Sequence, residues 1–381
     1  MKKEICIITN GYPTKEDPVY AFIQPLAREM ADAGVACTVI APQSITNQAK
    51  LHKQKRPYCW IDVTEHGNEI VIYQPEFISC SNLKLFGTNI STQLRDAAIE
   101  RCFRKEKLHP GVLYAHFWDC GIAAGRISPI NHIPVYVATG ESKIRVQDYY
   151  SQGKIDKYLP QIKGVIAVST KNLEESRNLD LLRFAPKTCV LPNAINPNEF
   201  YCMPKEDARR VLGFASNEKI VIFVGAFCHR KGVLRVVEAV EKLDGVKLIL
   251  IGSGEQTPQS DRILFSGKVP HNELVKYLNA ADVFALPTLA EGCCNAIVEA
   301  LACGVPVVSS KLPFNYDILN SGNSIMVNPE NITEIAEALN AVLSDNAIRS
   351  ALVSGAKEIG KELTIHHRCE KLLHEIGFEN V

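Results

Sequence analysis

The sequence predicts an α/β protein built from two doubly wound, Rossmann-like domains with a cleft between them, and three observations carry that expectation. Short apolar runs alternate with amphipathic stretches along most of the chain, the pattern of parallel strands joined by crossover helices. That series occurs twice. A segment rich in Pro and Asn, residues 191–207 (LPNAINPNEFYCMPKED), separates the two runs as a linker would.

In the first series the strand candidates are EICIIT (4–9), ACTVIA (36–41), EIVIYQ (69–74), VLYA (112–115), VYVAT (135–139) and GVIAVS (164–169). Helical spacing covers residues 18–33, with Gly34 placed to end that helix, and residues 90–107. The second series reads KIVIFVG (219–225), VKLILIG (246–252), RILFSG (262–267), DVFALP (282–287) and VPVVSS (305–310). After Asn331 the pattern is helical through 331–344, 346–360 and 365–377. The 381 residues exceed one ordinary core and suit two, assigned to residues 1–198 and 199–363.

Composition excludes several classes. Hydrophobic residues make up 46% and charged residues 22%, as in soluble globular proteins. Lys+Arg and Asp+Glu both number 42, so no global basic field marks nucleic acid as the main partner. The run Lys50 to Arg56 (KLHKQKR) is the local basic cluster; it suits an anionic membrane surface or a phosphorylated acceptor, and equally a solvated loop. Thirteen cysteines show neither CxxC pairs nor zinc-type spacing, which predicts reduced thiols in a cytosolic protein and no metal. The N-terminal apolar run breaks at Thr9-Asn10-Gly11, too early for a signal-peptide core. No apolar stretch reaches the roughly 18 residues of a spanning helix, so any contact with the inner membrane surface is peripheral.

Ligands of open parallel sheets bind beyond the carboxyl ends of the strands, so the strand-to-helix loops are where chemistry is expected. In VGAFCHRKG (224–232), Gly225 and Gly232 allow tight turns, while His229, Arg230 and Lys231 place cations near a helix N-terminus, which suits a phosphate and equally an exposed basic turn. The Walker pattern is absent. LIGSGEQ (250–256) contains half of a dinucleotide fingerprint, which serves either close backbone approach to a ligand or a plain turn. LPTLAEGCCNAIVEALACGVPVVSS (286–310) is the most informative segment: Asn295 is a candidate N-cap, Glu291 precedes the helix and Glu299 lies about one turn inside it. Amide donors around Cys293 to Ala296, flanked by two carboxylates, suit a phosphate beside sugar hydroxyls, and hence a nucleotide sugar. In the first domain the loops 9–13, 114–121 and 137–142 are candidates to face this site; His116 could hydrogen-bond a ligand hydroxyl or orient a reacting group, although a lone His more often serves structure.

VGAFCHRKG, LIGSGE, AADVFALPT and above all EGCCNAIVEALACGVPVV resemble the donor domain of the retaining GT-B glycosyltransferases of the large glycosyltransferase family four. The resemblance is strong over about residues 160–330. Over residues 1–160, GYPTKEDPVYAFIQPLAREM and AHFWDCG look like the bacterial polysaccharide and teichuronic-acid branch. It implies an N-terminal acceptor-binding domain, a C-terminal domain for a UDP- or GDP-sugar, and a last helix, 364–381, returning to the first domain. Glu299 would take the ribose hydroxyls and Glu291 those of the transferred sugar. Amides of Gly292, Cys293, Cys294 and Asn295 would meet sugar and diphosphate, with Lys231 neutralising the diphosphate and the backbone near Val269 meeting the base. His116 would contact the sugar from the first domain, and the loop at Gly11 would close over the phosphates. The chain departs from the family pattern in three places. Ala226 stands where an Arg is usual, leaving Arg230 as the substitute cation; Cys293 and Cys294 replace an aromatic residue and Pro; and the first-domain Gly-Gly is missing.

The implied activity is metal-independent sugar transfer with retained configuration to a glycan or lipid-linked acceptor in cell-surface polysaccharide synthesis, with no separate cofactor and no nucleic acid partner. A non-catalytic nucleotide-sugar-binding subunit and a nucleotide-sugar epimerase are the alternatives. The first would bind donors without turnover, and the second would convert its donor with no acceptor present.

Overall fold

The apolar runs become the inner strands of two sheets in the computed structural model, which describes residues 3–378 apart from Lys15, Glu16, Pro18, Ser81 and Asn82. Two compact units result. The first comprises the chain to Val168, residues 172–191 and the described residues from Cys369 on; the second comprises residues 169–171 and 192–368.

The main sheet of the first unit has eight strands among the described residues: β1 (Glu4–Ile8), β2 (Ala36–Ile40), β3 (Cys59–Val63), β4 (Glu69–Tyr73), β5 (Val112–His116), β6 (Val135–Thr139), β7 (Ile162–Ala167) and β8 (Lys187–Val190). They lie in the order β8-β7-β6-β5-β1-β2-β4-β3. Every pairing is parallel except β3 with β4. Central β1 and β5 are fully buried beyond Glu4, because helices cover both faces of a parallel sheet and leave no polar side. Helix α1 (Ile23–Asp32) buries Ile23, Leu26, Ala27, Met30 and Ala31, a stripe at helical spacing. It starts later than residue 18, the first residue of the expected helix and itself outside the described residues. Tyr20, at φ +60°, interrupts the helical backbone. Gly34 follows the helix with φ +80°, its amide donating to the Ala31 carbonyl at 3.0 Å. Helices α2 (Ile45–Lys50), α3 (Ile90–Lys105) and α4 (Trp118–Asn131) also belong to this unit.

In the second unit β9 (Lys219–Val224), β10 (Val246–Ile251), β11 (Ile263–Gly267), β12 (Val283–Leu286), β13 (Val307–Ser310) and β14 (Ser324–Val327) form a parallel sheet in the order β11-β10-β9-β12-β13-β14. The order reverses between β9 and β12, and the loops leaving these two strands are the ones rich in candidate residues. Helix α5 (Val233–Glu241) follows β9, and α6 (Asn295–Ala302) follows β12. Helices α7 (Ile332–Ser344), α8 (Asn346–Glu362) and α9 (Ile365–Glu375) come last. The end of the expected helix 364–381, residues 379–381, lies outside the described residues. Among those described, no helix is long and apolar enough to cross a membrane.

Candidate functional site

The loop after β9 is held by its neighbour after β10. The Phe227 amide donates to Ser253 O at 3.0 Å, and Gln256 N to Phe227 O at 2.9 Å. A Cβ on Gly252 would sit 1.9 Å from the Gly225 carbonyl oxygen, and one on Gly254 would sit 2.2 Å from that of Phe227. The Gly-Ser-Gly of 252–254 therefore serves close approach of one loop backbone to another. Gly232, at φ +82°, turns the chain into α5.

That turn delivers two cations to one carboxylate. Lys231 Nζ lies 2.7 Å and Arg230 Nη1 2.8 Å from Glu291 Oε1, and Thr288 Oγ1 donates to the same oxygen at 2.8 Å. Arg230 also donates to Ala290 O at 2.6 Å, and Leu289 N to Arg230 O at 2.9 Å, so the loops after β9 and β12 are knitted together. Burial opposes charge on Lys231, but contact with Cys294 and Glu291 outweighs it and holds the ammonium above its usual range. Burial pushes the Cys294 thiol upward, which keeps it neutral near pH 7 and leaves Glu291 as the counter-charge. Ala226 carries no charge, and Arg230 is the second cation in this cluster.

Helix α6 begins one residue earlier than an Asn295 cap would place it. Cys294 occupies the N-cap position without a side-chain cap bond, and Asn295 is the first helical residue. Its side chain instead accepts from Asn193 Nδ2 at 2.7 Å, while the same group donates to Cys293 O at 3.0 Å. The capping expectation fails because Asn193, 102 positions away, takes the side-chain oxygen. At this helix start the Ile297 and Val298 amides both donate to Cys294 O, at 3.1 and 3.3 Å. Gly292, Cys293 and Cys294 thus stand beside the cluster of Glu291, Lys231 and Arg230. Gly225 adjoins it too: a Cβ there would meet Lys231 Cδ at 3.5 Å.

Glu299, buried on α6, has a partner that the sequence did not signal. His271 Nε2 lies 3.2 Å from Glu299 Oε1, and Nδ1 lies 3.6 Å from Glu199 Oε2. Hydrogen bonding to Glu199 and Glu299 pushes the His271 pKa up to about 10. His271 begins a short 3-10 turn two residues after Val269, which is half-buried on the loop leaving β11.

His116 and Gly11 belong to the first unit. His116 is the buried last residue of β5 rather than a loop residue, edge-on to Tyr114 with ring centroids 5.1 Å apart and 5.8 Å from Phe22. Phe117 follows at φ +72°, ψ 157°, a conformation nearly reserved for glycine. Glu141 braces this turn. Its Oε1 accepts from Trp118 N at 2.9 Å, and its Oε2 accepts from Gly140 N at 2.9 Å and Thr139 Oγ1 at 2.6 Å. Gly11 follows β1; a Cβ there would fall 2.8 Å from the Tyr20 ring.

The cation cluster, the amide-bearing helix start and the buried Glu299 lie within residues 204–359, which match the family model Glycosyl transferases group 1. The putative teichuronic acid biosynthesis glycosyltransferase TuaC of Bacillus subtilis is 27% identical over 349 residues, covering 88% of each chain. Among solved structures, sucrose-phosphate synthase from Thermosynechococcus elongatus superposes with a TM-score of 0.75 at 18% identity, covering 97% of both chains. Anabaena HepE in complex with UDP and glucose gives 0.69 at 18% identity, over 98% of this chain and 99% of that one. The fold is GT-B, and residues 204–359 carry a glycosyltransferase group 1 domain, which with the glycosyltransferase relatives supports a glycosyltransferase enzyme.

Proposed function

We propose that the chain transfers a sugar from a nucleotide sugar, with retention of configuration and without metal, to a glycan or lipid-linked acceptor in bacterial cell-surface polysaccharide synthesis. The observation that carries this is the convergence of Lys231 and Arg230 on Glu291 at the head of α6. A donor diphosphate would take both cations over and add the amides of Gly292 to Asn295, so the charge of the departing diphosphate meets preorganised donors. Glu291, relieved of two cations, would then accept hydroxyls of the transferred sugar, and Glu299 those of the ribose.

In the transfer step the bond from the anomeric carbon to the diphosphate oxygen breaks, and a bond to the acceptor oxygen forms on the same face. The acceptor proton passes to the departing phosphate oxygen, releasing a nucleoside diphosphate. A double displacement would need a carboxylate nucleophile beneath the anomeric carbon. Glu291, tied through one oxygen to two cations and Thr288, is better suited to binding. UDP in the complex of the Anabaena neighbour and the Bacillus relative's name favour a UDP-sugar and a polysaccharide acceptor. Thirteen cysteines, none of them in a disulfide, fit a reducing cytoplasm, with a peripheral position at the membrane face.

The test is incubation of the purified chain with a panel of nucleotide sugars and glycan acceptors, with and without EDTA. Acceptor-dependent release of nucleoside diphosphate that EDTA leaves unchanged is expected. Donor binding without turnover would instead favour a scaffold subunit, and donor conversion without acceptor an epimerase.

A further inference from the structure

Strand order in the first unit reverses between β1 and β5, and doubly wound sheets take up ligands at such a reversal, beyond the carboxyl ends of the strands. The chain leaving β5 there runs from His116, the last residue of the strand, through Phe117 into the first turn of α4. Phe117 holds φ +72°, ψ 157°, which glycine adopts freely and a residue with a side chain adopts only under constraint. A glycine would relieve the strain. The chain instead carries an aromatic ring, its centroid 6.2 Å from that of Tyr20 and 6.0 Å from that of Phe22, and Tyr20 is itself at φ +60°. Strain of this kind persists where the surroundings over-determine it, and it gathers at sites of ligand contact.

One carboxylate supplies much of that constraint. Glu141, two residues beyond the end of β6, accepts from Trp118 N through Oε1 and from Gly140 N and Thr139 Oγ1 through Oε2. The backbone is tied on both sides as well. Phe117 N donates to Ala138 O at 2.7 Å, and the buried Asn172 donates through Nδ2 to Glu141 O at 2.8 Å. Ordinary helix capping differs in two respects. A capping side chain belongs to the residue that opens the helix and bonds the amide of its second or third residue. Glu141 lies 23 positions from Trp118 and holds the first amide of α4, while its other oxygen is spent on the end of β6. The carboxylate is therefore a strut between two strand ends, and its charge also suits the positive end of the α4 dipole.

Both oxygens are needed for this. Gln at position 141 keeps the shape but offers one acceptor oxygen and an amide that itself donates, so either Trp118 N or the Gly140 and Thr139 donors lose their acceptor. Released on one side, the turn relaxes from the conformation of Phe117, and His116 moves with it.

We propose that Glu141 is a positioning residue for the transfer: by tying Trp118 to the end of β6 it holds Phe117 in its strained turn and fixes His116 at the carboxyl end of β5 for contact with the reacting sugar. The assignment rests on the proposed sugar transfer. Its test is a double-mutant cycle of Glu141→Gln and Phe117→Gly in the full chain. Nucleoside diphosphate release is measured at saturating UDP-sugar and glycan acceptor, beside UDP binding by calorimetry and a thermal melt of each protein. Alone, Glu141→Gln lowers kcat by about 10- to 100-fold, the scale of a misplaced reacting geometry, and leaves UDP affinity unchanged. In the Phe117→Gly background the same substitution costs about twofold or less, because glycine keeps the turn without a brace. A loss of kcat equal in the two backgrounds, as a merely structural role would give, overturns the proposal. So does a Glu141→Gln kcat within about twofold of wild type, or a fall in UDP affinity that matches the fall in kcat. If Glu141→Gln fails to fold, Thr139→Val takes its place in the cycle; it removes one of the three donors and keeps the buried shape. Its loss of about threefold must likewise vanish in the Phe117→Gly background. A wild-type chain that transfers no sugar from any donor sinks the transferase reading and the positioning role with it, whereas transfer indifferent to Glu141 sinks the positioning role alone.

Discussion

Replacing Lys231 should slow transfer far more than replacing its neighbour Arg230, although both contact the same oxygen of Glu291. The Lys231 side chain is 14% exposed and that of Arg230 is 44% exposed. Across about 4 Å, two unit charges interact by about 4 kcal/mol at the effective dielectric near a protein surface and about 1 kcal/mol in bulk water. On the proposed chemistry the less exposed ammonium would therefore act on the departing diphosphate with several times the strength of the more solvated guanidinium. Loss of one preorganised donor to a developing anion costs on the order of 10²–10³ in kcat, and Lys231→Met falls in that range. Arg230→Ala, nearer the 1 kcal/mol limit, should cost about fivefold. Glu291 keeps Thr288 and one cation in either variant, so both proteins should fold, which thermal melts verify. The assay is nucleoside diphosphate release at saturating donor and acceptor. An Arg230→Ala loss equal to or larger than that of Lys231→Met refutes the reasoning, as do two variants within twofold of wild type.

Two more predictions concern the second unit. Glu299→Gln should weaken UDP binding by roughly 10- to 100-fold, the range for losing a hydrogen bond to a charged group, and calorimetry showing unchanged affinity would contradict the ribose assignment. His271, Glu299's partner, has a folded pKa raised to about 10 from an ordinary 6.5. A raised pKa of this kind contributes stability that is fully present below about pH 6.5 and lost as pH rises through 10. The melting-temperature gap between wild type and His271→Asn should therefore be widest at pH 6 and shrink towards pH 10. With the imidazole 63% exposed, solvent screening keeps the effect within the 1 kcal/mol or so of surface pairs. A gap that does not vary with pH would show that the imidazolium has no such role. Gly252→Ala must move a Cβ out of a position 1.9 Å from Gly225 O, at φ +146°, and should destabilise by about 3 kcal/mol. An unchanged denaturation midpoint would rule out the loop-on-loop packing.

The fold was legible where burial is two-sided. Central strands such as Cys6–Ile8 and Ile220–Phe223 are buried on both faces and show as continuous apolar runs. The strands not anticipated, Cys59–Val63, Lys187–Val190 and Ser324–Val327, all lie at sheet edges, where one-sided or partial burial leaves no such run. The same limit applies to the site. Glu291, Glu299 and Lys231 lie in recognisable loops at strand ends, but side-chain direction is set by tertiary neighbours. Hence the turn of Arg230 towards Glu291 and the loss of Asn295 as a cap to Asn193 could not be read. His271 and Glu299 are 28 positions apart with no motif linking them, so their pairing was also hidden.

The central claim is sugar transfer with retention, and one measurement reaches it directly. Proton NMR of the product formed during the first turnovers, from an α-linked UDP-sugar and a glycan acceptor, reports the anomeric configuration before any rearrangement. An α-linked product appearing in step with UDP is the predicted result. A β-linked product, or UDP release without any new glycosidic bond, would contradict it.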